Sequence, residues 1–493
     1  MKEKVEKLLV FLFLVFCVLS GFTACQDTEM TSPLIIRGDV LETIAVQTIW
    51  PSVEKSTIQW NGETVKGVAL KELVGEGFLY EKNDWILVAE DGFMVRLDGD
   101  TISDTFMAYD SERQWFYMSD KHPVNSRVKN INGIIVVKDE AQQPVYDSGI
   151  NLVLGEENHH FSMGELLVHD HQVIMQTDGI SRSGEIAIEV MKQKRVIPLN
   201  GLIEIPNQQA LIVTRSGEMI YETAEDGMLE LENGGVNYRR QGSSEVIKDL
   251  VGIMLDPPAG SNRDAYYDAK YYMEHEVPAL VIFLDGFSYA EYQALCQNYP
   301  DFFMANLPEF DRVTSVYRPV TNAGFAAMVT GQPPSVNGIH DRSGRELTCS
   351  SIFDEAEKNN VETLLVEGEI KILNLPGDTI LNLDLNGNGT SDDEIFESAM
   401  EKLDSEKYGY AMVHFHSIDD AGHQSGPLGD LTWQRIEEVD AYVRTLVAGW
   451  NGRVIITADH GMHQEGEGGN HWDFRAEDLT IPYLTLQGGK VNE

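Results

Sequence analysis

Cysteine is scarce in this chain: there are four in 493 residues, and none lies between Cys25 and Cys296. Cys296 and Cys349 lack the paired spacing of a thiolate zinc site, so any metal chemistry has to rest on other ligands. In an oxidising compartment these two could join in one disulfide; otherwise they stay free. Positive charge is also in short supply. Lys and Arg number 37 against 79 Asp and Glu, a formal net charge of −42. That balance excludes a nucleic-acid surface, which needs stripes of Lys and Arg along the phosphates. It also sets a condition: an acidic chain that handles a phosphate ester must concentrate positive charge at its site.

Long apolar runs are missing too, with one exception. "MKEKVEKLLVFLFLVFCVLSGFTACQ" carries Lys2, Lys4 and Lys7, then an apolar run from Leu8 to Leu19. Twelve residues are too few to span a bilayer and suit the central region of an export signal. The "FTAC" that follows resembles a bacterial lipobox, which implies cleavage before Cys25 and lipid on its sulfur. Residues 1–24 are therefore expected to be a signal peptide and residues 25–40 a lipidated tether. This places the protein in the cell envelope, on the outer face of the membrane; an ordinary secretory signal would release it instead.

What is present falls into two textures. From 41 to 254 the chain reads as short strands and turns, such as "DWILVAEDGFMVRLDG", "NGIIVVKD" and "ALIVTRSGEMIYE", punctuated by Asp91-Gly92, Asp98-Gly99 and Ser216-Gly217. A faint likeness between "GVALKELVG" (67–75) and "FSMGELLVH" (161–169) points to two related β-rich modules, 41–145 and 146–254. Through "GVALKELV", "EDGF" and "VKNINGIIVV" this half resembles the molybdopterin-binding domain of sulfite-oxidase-like proteins. That family holds its metal with a Cys, which this half lacks, so the cofactor is not expected.

Residues 255–276 read as a linker. From 277 to 493 strands alternate with helices: "ALVIFLDG", "NAGFAAMVTGQ", "VETLLVEG", "EIFESAMEKL", "YAMVHFHSID", "LTWQRIEEVDAYVRTLVAGW", "GRVIITADHG". In the sixth, Ile436, Val439, Val443, Leu446, Val447 and Trp450 share one helical face. The alternation predicts an α/β domain with a mostly parallel sheet flanked by helices. Ligands of such sheets bind beyond the carboxyl ends of the strands.

Residues with metal chemistry gather at those ends. Asp285 closes the first core strand, and Asp459 and His460 close the last, with His471 in the loop beyond. Asp419 and His423 stand four apart, so one helical turn puts both on one face. Read alone, Asp459 could simply cap a backbone amide. Together these carboxylates and imidazoles form a zinc-type ligand set. Thr321 opens a helix, where backbone N–H groups favour an oxyanion and a phosphoryl group.

From about 277 onward the chain resembles the alkaline phosphatase superfamily, in its type I phosphodiesterase/nucleotide pyrophosphatase branch. In that family a metal-bound Thr begins a helix that reaches the Gly of "VTG" ten residues later, as Thr321 and Gly331 do here. The family's D-x-x-x-H-x-x-G-P matches Asp419 to Pro427, and its "DHGM" matches Asp459 to Met462, ahead of His471 and an Ile481-Pro482 strand. The resemblance implies one divalent ion on Asp419, His423 and His471, and another on Asp285, Asp459 and His460 with Thr321 as exchangeable partner. Zinc is the implied metal, and His463 is an alternative to His471. His414 and His416 are expected to face the core or to support the ligands from behind. The implied activity is hydrolysis of phosphate mono- or diesters of small substrates through a covalent phospho-threonine. A phosphotransferase or mutase of the same superfamily is an alternative, as is a non-catalytic ligand-binding lipoprotein. A sulfatase would need Cys or Ser at the position of Thr321.

The resemblance also shows a departure. The family's Asn, 21 residues after the nucleophile, is replaced by Arg342, whose fork would suit a dianionic monoester. Asn322 or Arg345 could serve instead. Finally, "DLNGNGTSDDEI" (384–395) partly matches a calcium loop, with Asp384, Asn386, Asn388, Gly389 and Asp392 at positions 1, 3, 5, 6 and 9 and Ile395 at position 12. A solvated Asn-Gly turn is the competing reading.

Overall fold

Ala279–Leu284 and Tyr410–Phe415 are buried at every position, as strands covered on both faces must be. The computed structural model describes residues 30, 32–205 and 209–489 and places these two side by side within an eight-stranded sheet. Its strands are β1 (Gly260–Ser261), β2 (Ala279–Leu284), β3 (Asp311–Thr314), β4 (Thr363–Glu367), β5 (Asp378–Leu381), β6 (Tyr410–Phe415), β7 (Arg453–Thr457) and β8 (Thr480–Gln487). In space they run β1-β3-β8-β7-β2-β6-β4-β5. Only β8 runs against its neighbours, β3 and β7; the remaining pairs are parallel. The flanking helices include α1 (Asp264–Glu274), α2 (Tyr289–Asn298), α3 (Thr321–Thr330), α4 (Asp392–Lys402), α5 (Ser417–Ser425) and α6 (Asp430–Gly449). In α6, Ile436, Val439, Val443, Leu446 and Val447 are buried, the face the 3.6-residue period predicts.

The chain divides into two compact units, Met1–Gln143 and Pro144–Glu493. The first holds a five-stranded sheet in the order Ile44–Ala45, Ile35–Gly38, Ile131–Lys138, Asn83–Ala89, Met94–Leu97. The second opens with a sheet in the order Glu157–Phe161, Ile150–Leu154, Leu250–Leu255, Gln209–Thr214, Met219–Thr223. Both visit the five places in the same chain order, and both pair their first strand with their last in parallel. The two modules are therefore built alike, although the faint repeat aligned them out of register. Leu70–Leu73 occupies the topological place of Leu199–Leu202, while Met163–Val168 answers to Val46–Ile49.

Two expected boundaries change. Ile35–Gly38 is a strand, with Leu34 and Ile36 fully buried, so part of the expected tether belongs to the folded first unit. The signal peptide and Cys25 lie outside the described residues. The expected linker 255–276 instead forms β1 and α1. There Ala265, Ala269 and Met273 repeat every fourth residue and are buried, a helical period obscured by the preceding Pro-Pro-Ala-Gly. Cys296 and Cys349 are both free thiols. Among the described residues no helix is long and apolar enough to cross a membrane.

Candidate metal centre

Helix α3 is buried along its whole length, because "TNAGFAAMVT" carries mostly small side chains, and it ends on Gly331 in the left-handed conformation at φ 66°. Gly324 in its first turn lets the Asp459 backbone approach: a Cβ there would lie 2.5 Å from the Asp459 carbonyl oxygen. Val320 supplies no side-chain cap, so the N-terminal amides of α3 carry the helix's positive end beside Thr321. Thr321 Oγ1 lies 3.5 Å from His460 Nε2.

The other groups sit beyond the carboxyl ends of β2, β6 and β7. His460 Nε2 is 3.1 Å from Asp459 Oδ2 and 3.6 Å from Asp285 Oδ1. On α5, His423 Nε2 stands 3.4 Å from Asp419 Oδ2. His471 Nε2 lies 3.5 Å from Asp419 Oδ1 and 3.2 Å from His423 Nε2. Asp419, His423 and His471 thus offer ligand atoms within 4.8 Å of one another, and so do Asp285, Asp419 and His460.

The three imidazoles share an orientation. Nδ1 of His423 donates to Gly469 O (3.0 Å), Nδ1 of His460 to Gly461 O (3.0 Å), and Nδ1 of His471 to Pro319 O (2.7 Å). A carbonyl oxygen only accepts, so each Nδ1 carries a proton and each Nε2 is the nitrogen turned inward, where in the neutral ring it offers a lone pair. Facing these are Asp285 Oδ1, Asp419 Oδ1 and Asp459 Oδ2, buried oxygens with no hydrogen-bond donor among the described residues. Burial, then the charges of Asp285 and Asp419, push the Asp459 carboxyl well above its ordinary range. Burial and the nearby His460 push the His471 imidazole down to about 3. Converging lone pairs and unpaired buried carboxylates are mutually repulsive unless cations join them, so the donor set fits divalent ions.

A cavity of about 550 Å³ opens onto this cluster, lined among others by Asp285, Thr321, Asn322, Arg342, His416 and Asp419. Asn322 spends its amide nitrogen on Gly344 O (2.8 Å) and Ile372 O (3.4 Å), so it ties down the loop rather than offering a donor to the cavity. Arg345 likewise binds the carbonyls of Lys371 and Ile372. Arg342 places Nη2 2.7 Å from His471 Nε2, with its guanidinium over the Trp472 ring.

Other expected residues lie elsewhere. His463 pairs through Nδ1 with both oxygens of Asp478, at 2.7 and 2.9 Å, and does not join the cluster. Residues 384–391 form a loop that leads into α4, which takes up 392–395. Asp384 accepts from the amides of Gly387, Asn388 and Gly389, and Asp392 caps the start of α5 by accepting from His416 N and Ser417 N. With those carboxylates committed and Ile395 buried, the calcium reading falls away. One residue escaped the sequence reading: Glu367, at the end of β4, is fully buried against His414 and His416. Burial alone would raise its carboxyl, but these two imidazoles hold it down at about 2.

The comparisons with known proteins bear on this half of the chain. Residues 354–473 match the model of the Metalloenzyme superfamily. Among solved structures, phosphonoacetate hydrolase from Sinorhizobium meliloti 1021 in complex with phosphonoformate is similar at 16% identity and a TM-score of 0.32, over 38% of this chain and 57% of that one. Murine ectonucleotide pyrophosphatase/phosphodiesterase 5, inactive and in complex with AMP, is similar at 18% identity and a TM-score of 0.31, over 39% and 59%. The match thus spans little more than half the length of these structures. No curated protein matches the chain.

Proposed function

We propose that this protein hydrolyses esters of phosphate on small molecules with two divalent ions of zinc type, through a covalent intermediate on Thr321. The observation that carries the reading is the inward-facing set of three Nε2 lone pairs and three unpartnered aspartate oxygens beside a threonine at a helix N-terminus. Asp419, His423 and His471 would hold one ion, and Asp285, Asp459 and His460 the other. Bound there, the pair would supply positive charge to the attacking and leaving oxygens of an in-line displacement. The three aspartates bring −3 against +4, so the site suits an incoming anion although the chain carries −42 overall. Thr321 Oγ attacks phosphorus, and an Oγ–P bond forms as the P–O ester bond breaks, the hydroxyl proton going to the departing ester oxygen. Water then cleaves that bond and restores the hydroxyl. Arg342 lines the cavity, and with an ion on His471 Nε2 its guanidinium would be released to grip phosphoryl oxygens, which favours a dianionic monoester over a diester. The export signal and Cys25 support a lipid-anchored enzyme on the outer face of the membrane, which Cys25→Ser should release into the medium.

The test is metal analysis together with mono- and diester assays on wild type and Thr321→Ala. Wild type should bind two ions per chain and cleave at least one ester class. Thr321→Ala should keep its metal and lose activity by roughly three orders of magnitude or more, in the range seen when a nucleophile is removed. Metal-loaded wild type that cleaves neither class overturns the proposal, and transfer to an added alcohol in place of water would recast the enzyme as a phosphotransferase.

A further inference from the structure

Glu367, His414 and Asp285 lie in a row across the carboxyl ends of three adjacent strands, β4, β6 and β2. His414 bridges them: Nδ1 is 2.5 Å from Glu367 Oε1, and Nε2 is 3.1 Å from Asp285 Oδ2. Its ring stacks flat on Phe283, with centroids 3.6 Å apart and planes 7° from parallel. His416 forms a second bridge, with Nδ1 3.3 Å from Asp285 Oδ2 and Nε2 3.5 Å from Glu367 Oε1. Gly368 makes room for it. A Cβ there would fall 2.9 Å from the His416 ring, and the Gly368 amide donates to His416 Nε2 at 3.3 Å.

The His416 ring is thereby oriented, with Nδ1 facing Asp285 Oδ2 and Nε2 facing the Gly368 amide and Glu367 Oε1. His414 directs its Nε2 at the same oxygen. Oδ2 of Asp285 is therefore held from two sides, while Oδ1 is left without a donor and faces His460. A core histidine is ordinarily satisfied by one partner. A wholly buried glutamate behind two histidines costs desolvation that packing alone does not repay.

We infer that Glu367 is a positioning residue: through His414 and His416 it locks one oxygen of Asp285 and so presents the other, singly, to the ion shared with Asp459 and His460. The inference rests on the metal reading above and adds to it a support that reaches the ion only through Asp285. Outer partners of this kind typically change metal affinity ~10–100-fold.

The experiment is zinc titration by calorimetry with metal counting by mass spectrometry, on wild type, Glu367→Ala, Glu367→Gln and Glu367→Asp, with thermal melting to record folding. Wild type should take up two ions. Glu367→Ala should keep one at wild-type affinity and bind the other ~10–100-fold more weakly. Glu367→Asp, which restores the carboxylate, should recover part of the loss, whereas a purely structural glutamate would weaken both sites together. If Glu367→Ala does not fold, the isosteric Glu367→Gln carries the same comparison. Two wild-type affinities in either folded variant overturn the inference. So does a third ion in wild type that Glu367→Ala loses, since the cluster would then be a binding site itself. Wild type that binds no divalent ion overturns instead the metal reading beneath it.

Discussion

Arg342 reaches His471 Nε2 at 2.7 Å, while Arg345 and Asn322 are spent on backbone carbonyls. Among the described residues lining the cavity, Arg342 is then the cation that could turn to a substrate oxygen once an ion takes the His471 Nε2 lone pair. Arg342→Ala should lower kcat/KM on a phosphate monoester by roughly 10–150-fold, the worth of a lost charge-assisted hydrogen bond. The loss on a diester should be smaller, and Arg342→Lys should recover only part, because an ammonium cannot make the paired contact. Steady-state kinetics on both ester classes checks the contrast. At this scale the clustered acids and imidazoles could be read because Asp285, Asp459 and His460 interrupt apolar strands, where a charged or polar side chain needs a reason. Glu367 was not. It ends a strand in "LLVEG" as any solvated glutamate could, one acidic residue among 79, and only its burial sets it apart.

At the scale of elements, α3 depends on how closely it approaches the end of β7. Gly324→Ala would drive a Cβ against the Asp459 carbonyl oxygen (2.5 Å) and Cβ (2.7 Å), all of it backbone or backbone-fixed. A cost of about 1–3 kcal/mol is expected for such overpacking, with weakened metal binding because Asp459 itself must shift. Melting curves with and without zinc separate the two effects. Elsewhere, Gly227–Glu232 carries the buried Glu230, which pairs with Lys194 and with Arg239 at 3.1 Å. Burial would raise its carboxyl, but these two cations hold it below its ordinary 4.5. A depressed acid adds stability above its unfolded value and loses it as pH falls through the folded one. Glu230→Gln should therefore destabilise the protein by about 3 kcal/mol near pH 7, leaving Arg239 buried without its partner, and by much less under acid conditions. Denaturant titrations at both pH values check it. The strand–helix alternation of the C-terminal half could be read because each run keeps one period. Helix α1 could not, because its fourfold apolar spacing hides among tyrosines and acids behind a Pro-Pro turn.

For the whole molecule, the second module is bound up with the candidate metal centre. Val153, Leu211, Val213, Val251 and Met254 of that module pack against Tyr317, Phe474, Ala476 and Leu479. Tyr317 lies four residues before Thr321, and Phe474 three after His471. Asp147 adds an ion pair to Arg318 at 2.7 Å, and Asn158 donates to Glu477 at 2.7 Å. The sequence could show that 146–254 is β-rich, but a face that packs on loops two hundred residues away leaves no local period to read. A chain beginning at Pro144 keeps every residue of the centre and its buttress, and should retain both ions and turnover. One beginning at residue 256 would bare the apolar face of the 472–479 loop and should aggregate or lose the ion held through His471. A point change tests the same coupling without truncation. Gly252 leaves space for the Phe474 ring, and a Cβ there would lie 2.4 Å from its Cδ1. Gly252→Val should push Phe474 and the loop behind it, lowering affinity at the site proposed on Asp419, His423 and His471 while sparing the one proposed on Asp285, Asp459 and His460. Zinc titration of the variant separates the two outcomes, since equal loss at both sites would mean that the module stabilises the fold without setting the position of His471.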